Sequence, residues 1–228
     1  PVLVERFEGK GIWHYLDRVW IVMNSCIKRG LAAEGELPGG LGIMRKAYML
    51  NNRRHMDESP ETRENRLVCA YAYAVSEENA SCGEIVTAPT CGACGVLPAV
   101  LRYTADRRGF SENEIRRAIA TAGIIGNVIK TNASISGAEC GCQAEIGSAC
   151  SMASAALAEL YGMDTDQIEY AAEVAMEHHL GLTCDPVMGL VQVPCIERNA
   201  VAAMRAINAV SLANFLTYTR KISRSEEH

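Results

Sequence analysis

Apolar residues recur at three- and four-residue spacing along most of this chain, and nowhere do they alternate for long enough to found a sheet. Between residues 12 and 28, Ile12, Leu16, Val19, Met23 and Ile27 fall on one helical face, and Gly30 is placed to stop the helix. Ser59, with Pro60 at the first helical position, opens a second helix running through Leu67, Tyr71 and Val75. Ser111 and Glu114 form a capping box for a third, from Glu112 to about Ile129. A fourth, residues 143–160, is rich in Ala, Ser and Gly, which requires neighbouring backbones to approach it closely. Asp164 and Gln167 cap a fifth that ends near Gly181, and a sixth spans Ile196 to Tyr218. Only residues 84–87 have β character. The expectation is an all-α fold in a single compact multi-helix domain, with no internal repeat or low-complexity linker.

With 228 residues, 49% of them hydrophobic and 21% charged, the chain is long enough to enclose one sizeable core. A net charge of -5 argues against a nucleic-acid partner, which would need clustered Lys and Arg on one face. The longest uncharged run, residues 85–101, is broken by Pro89, Pro98 and several glycines and does not read as a membrane span. The chain opens at Pro1 with charges at Glu5, Arg6 and Glu8, unlike a secretory signal, so a cytoplasmic protein is expected. In that compartment ten cysteines stay reduced, which favours metal binding or catalysis over a disulfide framework. Cys26, Cys69 and Cys150 fall among apolar residues at helical spacing and read as small buried hydrophobes.

Three other cysteines stand apart from any apolar stripe. Cys142, Cys184 and Cys195 each occupy a Gly- or Pro-bearing turn, in GCQAEIGSAC, LGLTCDPVMGLVQ and VPCIERNA. This placement suggests a ligand set for a soft metal, foremost an iron–sulfur cluster, and three thiolates would leave one metal position open for substrate. The segments 87–99, 130–145 and 182–199 all concentrate Gly, Pro, Cys, Asn and Ser. Any one of them alone reads best as an ordinary connection. Three together, each with at least one cysteine, point to a site built from close backbone approach and short polar groups.

The segments NASISGAECGCQAEIGSACSMA, EHHLGLTCDPVMGLVQVPCIERNA and VTAPTCGACGVLPAVL, with ELPGGLGIMRKA upstream, resemble the catalytic domain of the iron–sulfur-dependent L-serine dehydratases, or L-serine ammonia-lyases. The likeness covers nearly the whole chain. It implies a 4Fe-4S cluster on Cys142, Cys184 and Cys195, no pyridoxal phosphate, and L-serine as substrate. The family usually carries Asn at the position of Cys91 and an aliphatic residue at that of Cys140, so Cys91, Cys94 and Cys140 contest the fourth ligand position. Cys91 and Cys94 form a CxxC, yet no second CxxC completes a zinc site, and the pair is read as lining near the cluster. Single-chain relatives place an α/β domain before this one and a tail after it. Residues 1–228 are therefore expected to be the catalytic alpha domain, acting with a beta domain or beta subunit. The broad small-residue helix surfaces also make a homo-oligomer a reasonable expectation.

The resemblance also directs the choice of substrate contacts. Dehydration of serine removes a weakly acidic Cα proton and expels hydroxide, giving aminoacrylate, which tautomerises and hydrolyses to pyruvate and ammonia. A metal with an open site eases departure of the oxygen by several kcal/mol, and a positioned base adds roughly 10²–10⁴-fold. Asn132, Ser134 and Ser136 are candidates to bond the substrate carboxylate and amine. Lys130 is a candidate to neutralise the carboxylate or act as base. The bland alternatives are helix caps for Asn and Ser and a solvated charge for Lys. His178 and His179 fall near a helix end, where a dipole effect alone would explain them. Arg198 is read as a partner for a carboxylate, of substrate, Glu139 or Glu145, and Asp185 as a brace for the Cys184 turn. Two other classes remain in view at this stage: a pyridoxal-phosphate enzyme using Lys130, which would leave the cysteines unexplained, and a non-catalytic cluster or zinc module with a fourth cysteine. Threonine or cysteine as substrate is a further alternative.

Overall fold

The computed structural model describes residues 2–53 and 57–216, with the backbone alone for residues 2 and 3. Ten α-helices follow one another among them: α1 (Val2–Glu8), α2 (Ile12–Ala32), α3 (Ala47–Asn52), α4 (Pro60–Ala80), α5 (Val96–Arg108), α6 (Glu112–Asn132), α7 (Gly137–Cys140), α8 (Cys142–Leu160), α9 (Thr165–Glu177) and α10 (Cys195–Leu216). The one β-type pairing among the described residues is an isolated bridge between Glu36 and Met44, and residues 84–87 form no strand. The all-α expectation holds. No described helix is long and apolar enough to cross a membrane.

The helix α8 is the axis of the molecule. It packs against α6, α9, α10 and α5, and sixteen of its nineteen residues are buried, so it lacks a solvent face. Its small side chains make this possible. Ser151 donates to the Ala172 carbonyl of α9 at 2.7 Å and the Cys150 thiol to the Ala202 carbonyl of α10 at 3.3 Å, so neighbouring backbones come within reach of its own side chains. Ser148 and Ser154 return their hydroxyls to the Ala144 and Cys150 carbonyls one turn back. Along α10, Ala202, Ala203, Ala206, Ala209 and Ala213 present the matching smooth face. Cys26 and Cys150 are fully buried, as expected, while Cys69 is only half-buried.

The capping signals lie where the sequence put them. Ser59 accepts from the Thr62 N–H, and Ser111–Glu114 and Asp164–Gln167 both form reciprocal capping boxes. Four differences have local causes. Gly30 does not stop α2, which continues to Ala32; a Cβ there would lie 2.6 Å from the Ala74 carbonyl carbon, so the glycine lets α2 and α4 touch. The segment expected as loop to residue 99 turns helical at Val96, because Pro98 falls in the first turn of α5, where no N–H is needed. The fifth helix ends at Glu177 rather than near Gly181, and residues 178–181 form turns. The short α1, α3 and α7 carry too few turns for a periodic signal. The expected end of the last helix at Tyr218 lies outside the described residues.

Candidate metal centre

Three distant stretches of chain meet at one end of α8. Cys142 is the first residue of α8 and Cys195 the first of α10, and Cys184 lies in the connection that leads from α9 to α10. Gly141, with φ +80, lets the chain turn into α8 against the 182–184 segment: a Cβ there would stand 2.7 Å from the Leu182 carbonyl oxygen. The Gln143 N–H donates to that same carbonyl at 3.0 Å, and the Gly181 N–H donates to Gln143 Oε1 at 2.9 Å. These bonds fix Cys184 beside Cys142.

The three thiols are within electrostatic reach of one another. Burial raises the Cys142 thiol above its usual range, opposed by a bond from Arg198 and reinforced by Cys184. Burial also pushes Cys195 up to about 11, with Cys142, Glu145 and Cys184 adding to the effect. Arg198 braces the group. It donates through Nη1 to the Thr183 carbonyl at 2.8 Å and pairs through Nη2 with Asp185 at 3.7 Å. It therefore meets Asp185 rather than Glu139 or Glu145, and Asp185 holds its turn through Arg198 rather than through backbone N–H groups.

Asn199, almost fully buried, ties the third segment to this centre. Its Nδ2 donates to the carbonyls of Cys195 and Gly92 at 2.9 and 2.7 Å, and its Oδ1 accepts from the Gly95 N–H at 2.8 Å. Both ends of the Cys91–Cys94 turn are thus bolted to the start of α10. Cys91 is exposed, whereas Cys94 packs in an apolar cluster with Cys26, Ile27 and Val75, where burial raises its thiol strongly. Cys140 is exposed at the end of α7.

This donor set is of the kind that a cluster takes. Among the described residues no three His, Cys, Asp or Glu side chains converge on a single point as a lone metal requires. A cubane puts each thiolate on a different iron, so its ligands surround a volume instead. Three thiols, two of them raised by burial and served by one guanidinium, are a set whose ionised form gains most from a bound cationic iron core.

The remaining sequence candidates fall into separate places. Ser134 donates to Glu139 Oε2 at 2.8 Å and accepts from the Ser136 N–H at 3.1 Å, while Ser136 caps α7 by accepting from the Glu139 N–H at 3.3 Å. Both serines lie on the loop that brings Gly137 to 3.7 Å, measured from a notional Cβ, of the Cys184 sulfur. Asn132 ends α6, exposed. Lys130 is exposed and lines a cavity of about 510 Å³ with Thr87, Pro89, Asn127 and Ile135, which none of the three cysteines lines. His178 and His179 donate through Nδ1 to the Val174 and Ala175 carbonyls, since a carbonyl can only accept. His179 is buried, which holds its ring below the usual histidine range and neutral. Both histidines thus serve the end of α9.

Another cavity, of about 920 Å³, opens between α3, α4, α9 and α10. It is largely apolar and also excludes the three cysteines, so size alone does not identify the reactive centre. Glu145, read from the sequence only as a candidate partner for Arg198, has another neighbour. It lies one turn after Cys142 on the same face of α8 and accepts from the Thr90 hydroxyl. Its spacing from Cys142 was the available signal, but a glutamate in the first turn of a helix is ordinarily explained by the dipole.

The family described as serine dehydratase alpha chain matches residues 5–225. An L-serine dehydratase of Streptomyces coelicolor is 52% identical over 199 residues, which are 87% of this chain and 44% of that protein. L-serine dehydratase 1 of Escherichia coli is 50% identical over 220 residues, 94% of this chain and 48% of that protein. An L-serine dehydratase of Helicobacter pylori is 46% identical over 217 residues, 92% of this chain and 47% of that protein. The chain spans less than half the length of these relatives.

Proposed function

Because the chain belongs to the family of serine dehydratase alpha chains, we propose that it forms the catalytic part of an L-serine ammonia-lyase, with a 4Fe-4S cluster held by Cys142, Cys184 and Cys195. The observation that carries this reading is the meeting of those three thiols, from separate stretches of sequence, around Arg198. With one iron free of protein ligands, such a cluster supplies a Lewis acid for the departing β-oxygen of the substrate. No net redox change accompanies loss of water from serine, so electron transfer is not required of it.

The protein's own groups then have defined tasks. Arg198 keeps the Cys184 turn against α8 and tempers the negative charge of the thiolates. Gly137 brings the 132–137 loop towards Cys184, and in this reading Asn132 and the Ser134 and Ser136 hydroxyls on that loop receive a substrate carboxylate. Lys130, at the end of α6 in the neighbouring cavity, contributes positive potential for an anionic group at longer range. A second domain or subunit, of the kind that makes up the rest of the longer relatives, would close the open side and supply further walls, and assembly into a homo-oligomer would serve the same end. The reduced thiols this centre needs suit the cytoplasm.

Anaerobic reconstitution with iron and sulfide, joined to the second domain where turnover needs it, should give a brown protein that converts L-serine to pyruvate and ammonia. Absence of pyruvate from a fully loaded preparation would sink the reading. A zinc-loaded, colourless protein would point instead to a structural metal.

A further inference from the structure

Around the three cysteines there is one half-buried carboxylate for which the described residues supply no cation. Glu145 accepts from the Thr90 hydroxyl through Oε1, and no Lys, Arg or His nitrogen pairs with it among the described residues. Two glycines from different segments press on it. A Cβ at Gly92 would lie 2.9 Å from its Cδ, and one at Gly137 would run into Oε2 and stand 3.7 Å from the Cys184 sulfur. The carboxylate is therefore fenced by bare backbone and faces the thiol group. Arg198, the cation nearest these cysteines, is already engaged by the Thr183 carbonyl, Asp185 and Cys142.

With the three thiolates committed to an iron core, Glu145 would remain a carboxylate with no basic side chain beside it, a place where a cationic ligand group finds its counter-charge. Under the lyase reading, on which this step rests, the substrate brings one. L-Serine presents a hydroxyl, a carboxylate and an α-ammonium. The hydroxyl is directed to the open metal position, and the Asn132–Ser136 loop offers polar groups to the carboxylate. We propose that Glu145 receives the α-ammonium group, with Thr90 holding the side chain in place and Gly92 and Gly137 packed against it where any larger residue would collide. The same contact makes the site selective for 2-amino acids, because a 2-hydroxy acid or an unsubstituted 3-hydroxy acid brings no charge to it. Asp185 is less suited, being paired with Arg198, and Glu139, which accepts from a hydroxyl as Glu145 does, is exposed, whereas Glu145 is half-buried between two glycines.

The test compares the cluster-loaded protein, with its second domain where turnover needs it, with its Glu145→Gln variant, an isosteric change that removes only the charge. A charge-assisted hydrogen bond of ordinary strength corresponds to a roughly 10- to 100-fold weaker affinity when lost. The expected result is a KM and a calorimetric Kd for L-serine raised by about that factor, with the visible absorption of the cluster unchanged. Inhibition by 3-hydroxypropanoate, which lacks the ammonium, should be equal in both proteins, and Glu145→Asp should recover part of the serine affinity. The proposal is overturned if serine affinity is unchanged, if kcat falls while KM does not, or if the variant loses the cluster absorption. Calorimetry keeps the two readings apart. Unaltered protein that binds serine more tightly than the variant yet makes no pyruvate would sink the lyase and leave this contact standing, and protein that binds no serine would sink both.

Discussion

Glu77, near the end of α4, and Glu145, one turn into α8, both carry a carboxylate inward from a helix, and their surroundings differ in kind. Glu77 is 1% exposed and closes α3 from a distance: the Lys46 N–H donates to it at 2.6 Å and the Ala47 N–H at 3.3 Å. A helix start that has no cap of its own is thereby satisfied by a remote side chain. That corner in turn holds the glycine-rich 35–46 segment, which touches the path from Cys184 to Cys195: Gln192 donates to the Pro38 carbonyl at 2.6 Å, and a Cβ at Gly39 would stand 2.7 Å from the Leu190 side chain. Glu145 receives one hydroxyl and no backbone N–H, and its neighbours are glycines rather than donors. A carboxylate whose bonds are all met internally is structural, and one that receives a single hydroxyl and no counter-charge from the described residues is open to a ligand.

The largest expected effect lies on the ligand side of this contrast. Cys142→Ala, Cys184→Ala and Cys195→Ala should each abolish cluster incorporation, read as iron and sulfide content, while Cys91→Ser should keep the cluster. The metal-free variants should lose no more than about 1 kcal/mol of unfolding free energy, since each change removes one small side chain at the edge of the core. A fully loaded cluster in any of the three alanine variants would break the assignment. On the structural side, Glu77→Ala should cost about 2–4 kcal/mol in urea unfolding, because it orphans the buried Ala47 N–H and the half-buried Lys46 N–H and leaves a cavity. Glu145→Gln should shift the same measurement by less than about 1 kcal/mol. Equal losses at the two sites would erase the distinction.

The pH dependence sharpens it. Burial outweighs the donors and Arg45 around Glu77 and holds its carboxyl above the usual carboxylate range. The folded protein then binds this proton at higher pH than the unfolded chain. Stability from this group is present below the unfolded value and is lost as pH rises through the folded one. Glu77→Gln should remove that decline, so urea midpoints of the variant should run flatter than those of the unaltered protein across the mildly acidic range. A parallel pair of curves would mean that Glu77 does not titrate with the fold.

Helices with capping residues and a clear stripe were legible in the sequence because both signals are local: Ser59, Ser111 and Asp164 mark their own helix starts. Cys142, Cys184 and Cys195 stood out in the sequence as turn residues, but Cys142 and Cys195 are the first residues of α8 and α10, and only Cys184 lies in a connection. The helix α5 was hidden by the Gly and Pro at its start, and Gly30 was misread because its partner, Ala74, is 44 positions away along the chain. Long-range pairing also hid Asn199 and Glu145, whose roles depend on Gly92 and Gly137 arriving from other segments. Lys130 shows the converse. Its sequence neighbourhood is that of the candidate site, yet near the end of α6 it lines a cavity that none of the three cysteines lines.

Glu114 supplies the smallest effect and the control for both glutamates, since it bonds backbone N–H as Glu77 does but in full contact with solvent. Its Oε2 accepts from the Ser111 N–H at 2.8 Å and the Ser111 hydroxyl at 2.6 Å, while Ser111 Oγ accepts from the Glu114 N–H at 3.3 Å. The bonds from Ser111, its hydroxyl first, hold the Glu114 carboxyl below the usual range, the opposite direction from Glu77. Its contribution is therefore present above the unfolded value and lost as pH falls through the folded one. Ser111→Ala should cost about 1 kcal/mol at neutral pH, and the difference from the unaltered protein should shrink in acid. Because burial is absent, added salt should weaken the Glu114 contribution but leave that of Glu77 nearly unchanged. Equal salt sensitivity at the two sites would show that the donors, rather than the buried surroundings, set the behaviour of Glu77.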